Sequence, residues 1–297
     1  MKKVIVLSDI HEDLESLTKS VDYAQAKEVD HILCAGDFSL MPYRNEDAQA
    51  FNKSNHEVTD LEAFIIAKRE YNSDKIKGMK AIIDKSGISY NVVPGNYDPD
   101  ISDIFEKEDL HKKTVQLGDA KMFGYGGADA FPPQIMNMVQ LGEIVDFDHE
   151  ELYNFLNRET PDIVLTHNPP KGACDNMYDG NNGGTIATTK YVIENMAAKK
   201  NPKLIIAGHV HESGPYANNP KKVKGVMVVP NPGGHRTFVV NPGNIGRFMH
   251  FDFGTFVEMD IEEDGSPLLI VQYSIQGDNK KIVDPNKIGE YDFRDVA

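Results

Sequence analysis

Lys3-Val4-Ile5-Val6-Leu7-Ser8-Asp9-Ile10-His11 opens the chain and decides how the rest of it reads. Val4 to Leu7 is a continuous apolar run rich in β-branched residues. That composition marks a strand buried on both faces, and Lys3–Leu7 is assigned to it. Ser8–Asp13 follows as a polar loop. Leu14, Leu17, Val21 and Ala24 then recur at three- and four-residue steps, which predicts a helix with that face inward. A buried strand, a polar loop and an amphipathic helix in succession begin an α/β fold.

The same unit recurs outward along the chain. His31–Ala35, Tyr90–Val93, Ile163–Leu165 and Leu204–Ala207 are expected as further strands. Between the second and third, Leu61, Phe64, Ile65 and Ala67 mark one helix, and Ile76, Met79, Ile82 and Ile83 mark another. Asp98–Pro99 has the form of a helix N-cap with proline in the first turn. Thr114–Leu117 and Lys121–Tyr125 flank a Gly-Asp turn, and Phe131–Asp148 is expected as a long loop or lid. Glu150–Leu156 and Gly184–Lys199 are expected as helices. The remainder predicts strands only: Gly225–Val229, Arg236–Val240, Thr255–Ile261 and Leu268–Tyr273, the last two joined at Glu263-Asp264-Gly265. No linker divides the chain. The expectation is a single domain over 1–297, with a C-terminal hairpin segment at about 251–275 packed on the second sheet.

The chemistry follows from what stands immediately after each strand. After the first come Asp9 and His11, after the second Asp37, after the third Asn96, after the fourth His167, and after the fifth His209 and His211. Ligands of open α/β sheets bind outside the carboxyl ends of the strands. Here five strand ends deliver two carboxylates, an amide oxygen and four imidazoles. Asp9 and His11 are two apart, as are His209 and His211. In extended chain such pairs point to one side, while Ile10 and Val210 turn into the core. Seven donors exceed what one ion needs and suit two, if a carboxylate bridges them. Asp37, alone at its strand end, is the expected bridge. Two ions about 3.5–4 Å apart are the recurring device for in-line displacement at phosphorus.

Composition narrows the partners. The chain has 297 residues, with 31 Lys and Arg against 46 Asp and Glu, a net charge of −15. Its mean field repels phosphate, so nucleic acid is disfavoured as a partner, and a local cation must attract any phosphoester. No apolar run is long enough to cross a membrane, and Val4–Leu7 is too short for a signal-peptide core. Two cysteines, Cys34 and Cys174, build no disulfide framework, which points to a cytoplasmic, reducing compartment. Nothing in the composition sets an oligomeric state.

Five blocks taken in order resemble the calcineurin-like metallophosphoesterases: Asp9-Ile10-His11, Gly36-Asp37, Gly95-Asn96-Tyr97-Asp98, His167, and Gly208-His209-Val210-His211. Thr166-His167-Asn168-Pro169-Pro170 and Val240-Asn241-Pro242-Gly243 look like those of the Icc-like single-domain members. The resemblance runs from residue 4 to about 245. It implies a four-layer αββα sandwich, two mixed β-sheets flanked by helices. It further implies two divalent or mixed-valence ions of Mn, Fe or Zn. Asp9, His11, Asp37 and His211 would hold the first, and Asp37, Asn96, His167 and His209 the second. The implied activity is hydrolysis of a small-molecule phosphoester by a hydroxide bridging the ions, on phosphodiesters or small organic phosphates. A nuclease of the same fold and a metal-binding scaffold without turnover are the rival readings. Two positions depart from the family pattern. Tyr97 stands where a histidine commonly acts as the acid near the leaving group, and a phenol of pKa about 10 is a weaker acid at neutral pH. Asn96 and Tyr97 are accordingly the candidate catalytic residues. Glu12 stands where glycine is usual and adds negative charge at the mouth. His31, His56, His111, His149, His235 and His250 match no block and are assigned no chemistry.

Overall fold

A computed structural model of the chain describes residues 1–40, 61–129, 143–198, 200–216, 219–231, 235–246, 254–276 and 282–294, without the side chains of 61–68. The first sheet holds β1 (Lys2–Leu7), β2 (His31–Cys34), β3 (Ser89–Val92), β10 (Thr255–Ile261), β11 (Pro267–Gln276) and β12 (Ile282–Asp292), in the order β12-β11-β10-β1-β2-β3. The second holds β4 (Lys113–Leu117), β5 (Ala120–Tyr125), β6 (Ile163–Thr166), β7 (Leu204–Ile206), β8 (Val226–Pro230) and β9 (Arg236–Val240), in the order β4-β5-β6-β7-β9-β8. β1, β2 and β3 run parallel, as do β5, β6, β7 and β9, so their carboxyl ends share one rim in each sheet. β10 closes antiparallel on β1, with Val4 opposite Met259.

Strand alternation builds the layers. Val4 and Val6 point between the sheets and pack with Met122, Leu165, Ile206 and Met259. Ile5 and Leu7 point outward against Leu17 and Val21 of α1 (Leu14–Ala26) and Ile76 and Met79 of α2 (Leu61–Lys85). On the far side, Phe123, Val164 and Ile205 meet Leu152 and Leu156 of α4 (His149–Glu159) and Tyr191 of α5 (Ile186–Asn195). Helix, sheet, sheet, helix is the expected four-layer sandwich. Burial on both faces is why β1 reads as an unbroken apolar run, each such side chain contributing about 1.5–3 kcal/mol.

Several local expectations change. The two helices expected between β2 and β3 are one, α2. Its apolar stripe looked interrupted because Asn72, a polar residue, stands on it and is buried. The hairpin at about 251–275 forms as β10–β11, turning at Gly265 with φ 89°. It joins the first sheet by hydrogen bonds to β1 and packs on the second through its inner face, Val257, Met259, Ile261 and Ile270, and through its turn, where Glu263 O accepts from Asp119 N at 2.9 Å. β12 was not expected: its pattern is too polar, because it is an edge strand with mostly exposed positions. Asp98 does not cap a helix at Pro99, since α3 (Ser102–Phe105) starts later, behind Ile101. The expected lid falls largely on 130–142, outside the described residues, as do His56 and His250.

Candidate metal centre

All seven candidate donors meet at the rim where the carboxyl ends of β1, β2, β3, β6 and β7 converge. The two-residue spacing brings them there by a route different from strand alternation. β1 ends at Leu7, and Asp9, His11, Asp37 and His209 all take left-handed backbone, with φ of 53°, 47°, 53° and 65°. Side chains with a Cβ disfavour that region by roughly 1–2 kcal/mol each, and such strain persists where surrounding contacts over-determine it. The contacts here are backbone hydrogen bonds between two loops: Asp9 N to Gly36 O at 2.8 Å, His11 N to Asp37 O at 3.0 Å and Glu12 N to Phe38 O at 2.9 Å. Ile10 and Val210 are core residues, as expected.

Each carboxylate is split between an anchored and an available oxygen. Asp9 Oδ2 accepts from Ser8 Oγ (2.5 Å) and from the His209 backbone N–H (3.1 Å). Its Oδ1 lies 2.9 Å from His211 Nε2 and 3.8 Å from His11 Nε2. Asp37 Oδ1 accepts the Tyr97 N–H at 2.9 Å, leaving Oδ2 3.5 Å from His167 Nε2. The imidazoles are oriented from behind. His11 Nδ1 donates to the Ser39 carbonyl at 3.0 Å and His167 Nδ1 to the Ala35 carbonyl at 2.6 Å. A carbonyl can only accept, so when either ring is neutral its Nε2 lone pair faces inward, the arrangement metal-ligating histidines use. Asn96 Oδ1 stands 3.0 Å from His167 Nε2 and 2.9 Å from His209 Nδ1. Asp9, His11 and His211 form one group whose ligand atoms lie within 4.8 Å of one another, and Asp9, Asp37 and His167 form a second. Asp9 is thus common to both groups. Asp37 belongs to the second, and its charge also acts on His11.

The electrostatics call for positive charge. Burial opposes ionisation of Asp9, but the charge and hydrogen bond of His211, helped by His167 and His11, hold its carboxyl below the usual range. Burial likewise opposes ionisation of Asp37, and His167 and His11 outweigh it. Burial would lower His167, yet Asp37 and Asp9 raise it to about 9; His211 is raised in the same way by Asp9. Burial keeps His209 down at about 4 and also lowers His11. Two buried carboxylates, inward lone pairs and no thiolate are a donor set suited to divalent transition metals.

Asp98 does other work. Fully buried, it accepts from the N–H groups of Phe38 (3.1 Å), Ser39 (2.8 Å) and Gly95 (2.7 Å), fastening the Asp37 loop to the Asn96 loop. Burial, with the charge of Asp37, pushes it up to about 6. Asn241, also buried, holds the last loop, donating to Val210 O at 3.0 Å and Gly208 O at 3.4 Å. Sequence reasoning assigns Asn241 no role of its own, although Val240-Asn241-Pro242-Gly243 is one of the stretches that carry the resemblance. Ser8 and the carbonyls of Ser39 and Ala35 left no sequence signal, because only geometry brings them to the site. Tyr97 is half-buried, its ring edge-on to His11 at 6.0 Å between centroids. Glu12 does not lie free at the mouth. Its carboxylate accepts from Tyr71 Oη (3.2 Å) and Leu40 N (3.4 Å) and pairs with Lys75 (3.4 Å), because α2 packs beside this loop.

A family model for the calcineurin-like phosphoesterases matches residues 2–213. The chain belongs to that family. It is accordingly a metal-dependent phosphoester hydrolase, and its Asp/His groups are compatible with a dimetal centre. Among solved structures, this phosphoesterase is similar in fold to the protein TT1561 of Thermus thermophilus, with TM-score 0.53, 17% identity, and 87% of this chain and 94% of that one covered. It is similar also to a dimetal phosphatase from Danio rerio, with TM-score 0.53, 9% identity and 98% of each chain covered. At such identities the likeness is one of fold. No curated protein matches the chain. Among the described residues, no helix is long and apolar enough to cross a membrane.

Proposed function

We propose that this phosphoesterase is a dimetal enzyme acting on phosphodiesters or small organic phosphates. Asp9, His11, Asp37 and His211 would hold one ion, and Asp37, Asn96, His167 and His209 the other. Mn, Fe or Zn suits the set. The observation that carries the reading is the inward turn of the donor atoms, with the Asp9 and Asp37 carboxylates and the His11 and His167 rings each braced by a backbone group. When bound, the ions supply a nucleophile from water near neutral pH and neutralise charge developing on phosphorus.

The protein's own groups do the rest. Asn96 would orient a non-bridging oxygen of the substrate. His209 and His211 serve as neutral ligands. Tyr97, tethered through its N–H to Asp37, offers a phenol proton to the leaving oxygen. A phenol is a weak acid at neutral pH, which favours substrates whose leaving groups are acidic. The net charge of −15 disfavours a nuclease. Cys34 and Cys174 are free, buried thiols, which fits a cytoplasmic setting. Substitution Asp37→Ala should abolish Mn-dependent cleavage of a nitrophenyl phosphodiester, and retained turnover in pure protein refutes the centre. A large preference for the monoester would instead refute the phosphodiester reading.

A further inference from the structure

Glu12 stands at φ 61° in the metal loop, a backbone conformation that glycine adopts without strain. The chain nevertheless carries a long carboxylate there, directly after His11. That carboxylate has a specific occupation. Its Oε2 accepts from Tyr71 Oη at 3.2 Å and sits 3.4 Å from Lys75 Nζ, both on α2. Its Oε1 accepts the N–H of Leu40 at 3.4 Å. That N–H and the Ser39 carbonyl belong to one peptide group, and the Ser39 carbonyl is the acceptor for His11 Nδ1 at 3.0 Å. Carboxylate, peptide and imidazole therefore form a line of hydrogen bonds, donated in one direction from His11 through the peptide to Glu12.

We infer that Glu12 is a positioning residue for metal binding, acting on His11 through the Ser39–Leu40 peptide. The inference rests on the dimetal reading above. Metal-ligating histidines commonly donate their second nitrogen to a carboxylate or a carbonyl, which fixes the ring and raises its basicity. Here both are used in series: the anion polarises the peptide, and the polarised carbonyl grips the imidazole. Tyr71 and Lys75 keep the carboxylate in place. The arrangement couples α2 to the first ion's ligands through Glu12 and the loop peptide.

Glycine at position 12 separates this role from simple tolerance of strain. Glu12→Gly relieves the left-handed strain while removing the anion. The apo protein should keep its Tm within about 3 °C, because strain relief offsets the lost pair with the exposed Lys75 ammonium. Its Mn affinity, titrated calorimetrically with MnCl2, should fall about tenfold. Tyr71→Phe should weaken Mn in the same direction by a smaller factor, about two- to fivefold, below the usual range of outer-shell effects because it only loosens the anion. Glu15→Gln, which removes the same charge from the exposed start of α1, should leave affinity unchanged. Affinity within twofold of wild type in both Glu12→Gly and Tyr71→Phe overturns the inference, and so does an equal loss in Glu15→Gln. Should Glu12→Gly fail to fold, Tyr71→Phe decides alone. Wild-type protein that binds no Mn refutes the dimetal reading itself, a result separate from either.

Discussion

Asp98 shows how a residue outside the donor set can govern it. Three backbone N–H groups from two loops end on its two oxygens. Replacement by asparagine keeps the shape but turns one acceptor into an N–H2 group facing a donor. Asp98→Asn should therefore destabilise the fold by about 1–3 kcal/mol in urea melts, the usual cost of an unmade buried hydrogen bond. It should also weaken Mn binding, because Asp37 and Asn96 lose their common anchor. Normal affinity together with lowered stability would reduce Asp98 to a fold residue. Tyr97→Phe removes only the phenol hydroxyl and leaves the backbone bond to Asp37. It should leave Mn affinity unchanged and slow cleavage of diesters with poor leaving groups more than of nitrophenyl esters, read as kcat across a leaving-group series.

At the scale of elements, the site is a set of loops pressed together at one sheet rim. A Cβ on Gly95 would stand 2.0 Å from Asp37 Oδ1 and 2.2 Å from the Asp37 backbone N, and the backbone cannot swing aside as a side-chain end could. A Cβ on Gly208 would stand 1.9 Å from Ser8 Oγ. The small residues before the donors thus serve close approach of loop to loop. Gly95→Ala should push the Asp37 loop aside and remove Mn-dependent activity. Gly87→Ala makes the informative contrast. Gly87 has φ 70° but nothing within 4 Å of a new Cβ, so it should cost about 1 kcal/mol of stability and no activity. Activity assays and thermal melts of the pair test the assignment, which fails if both behave alike.

For the whole molecule, the charges of the centre set a pH dependence. His167, raised to about 9 when folded, stabilises the apo protein fully below its unfolded value of about 6.5, and that contribution is lost as pH rises toward 9. His209, held at about 4, works oppositely: its inability to take a proton costs stability below about 6.5 and the cost disappears above it. Asp9, held low, adds stability that is lost only as acid protonates it. Apo Tm should therefore peak near neutral to slightly acidic pH. A metal needs neutral imidazoles, so Mn binding at pH 7 should release protons, chiefly from His167, and tighten as pH rises toward 9. Calorimetry in two buffers of different ionisation enthalpy measures that release, and zero release would contradict the charge state of His167. Removal of metal by a chelator should lower Tm, since an ion that binds only the folded chain stabilises it by mass action.

The strands that end at the site, both faces of the first strand and the seven residues that meet at the rim were legible in the sequence itself. The physical reason is that burial and ligand chemistry restrict residue type locally: a strand covered on both sides must be apolar throughout, and donors must be carboxylate, amide or imidazole. Only the tertiary structure decided how those donors converge. The left-handed backbone at Asp9, His11, Asp37 and His209, the clamp made by Asp98, the carbonyls behind His11 and His167, and the tie from Glu12 to α2 join residues far apart in the chain. Backbone groups are identical at every position, so the sequence carries no mark of which carbonyl will face a histidine. Packing two loops against one another supplies that choice.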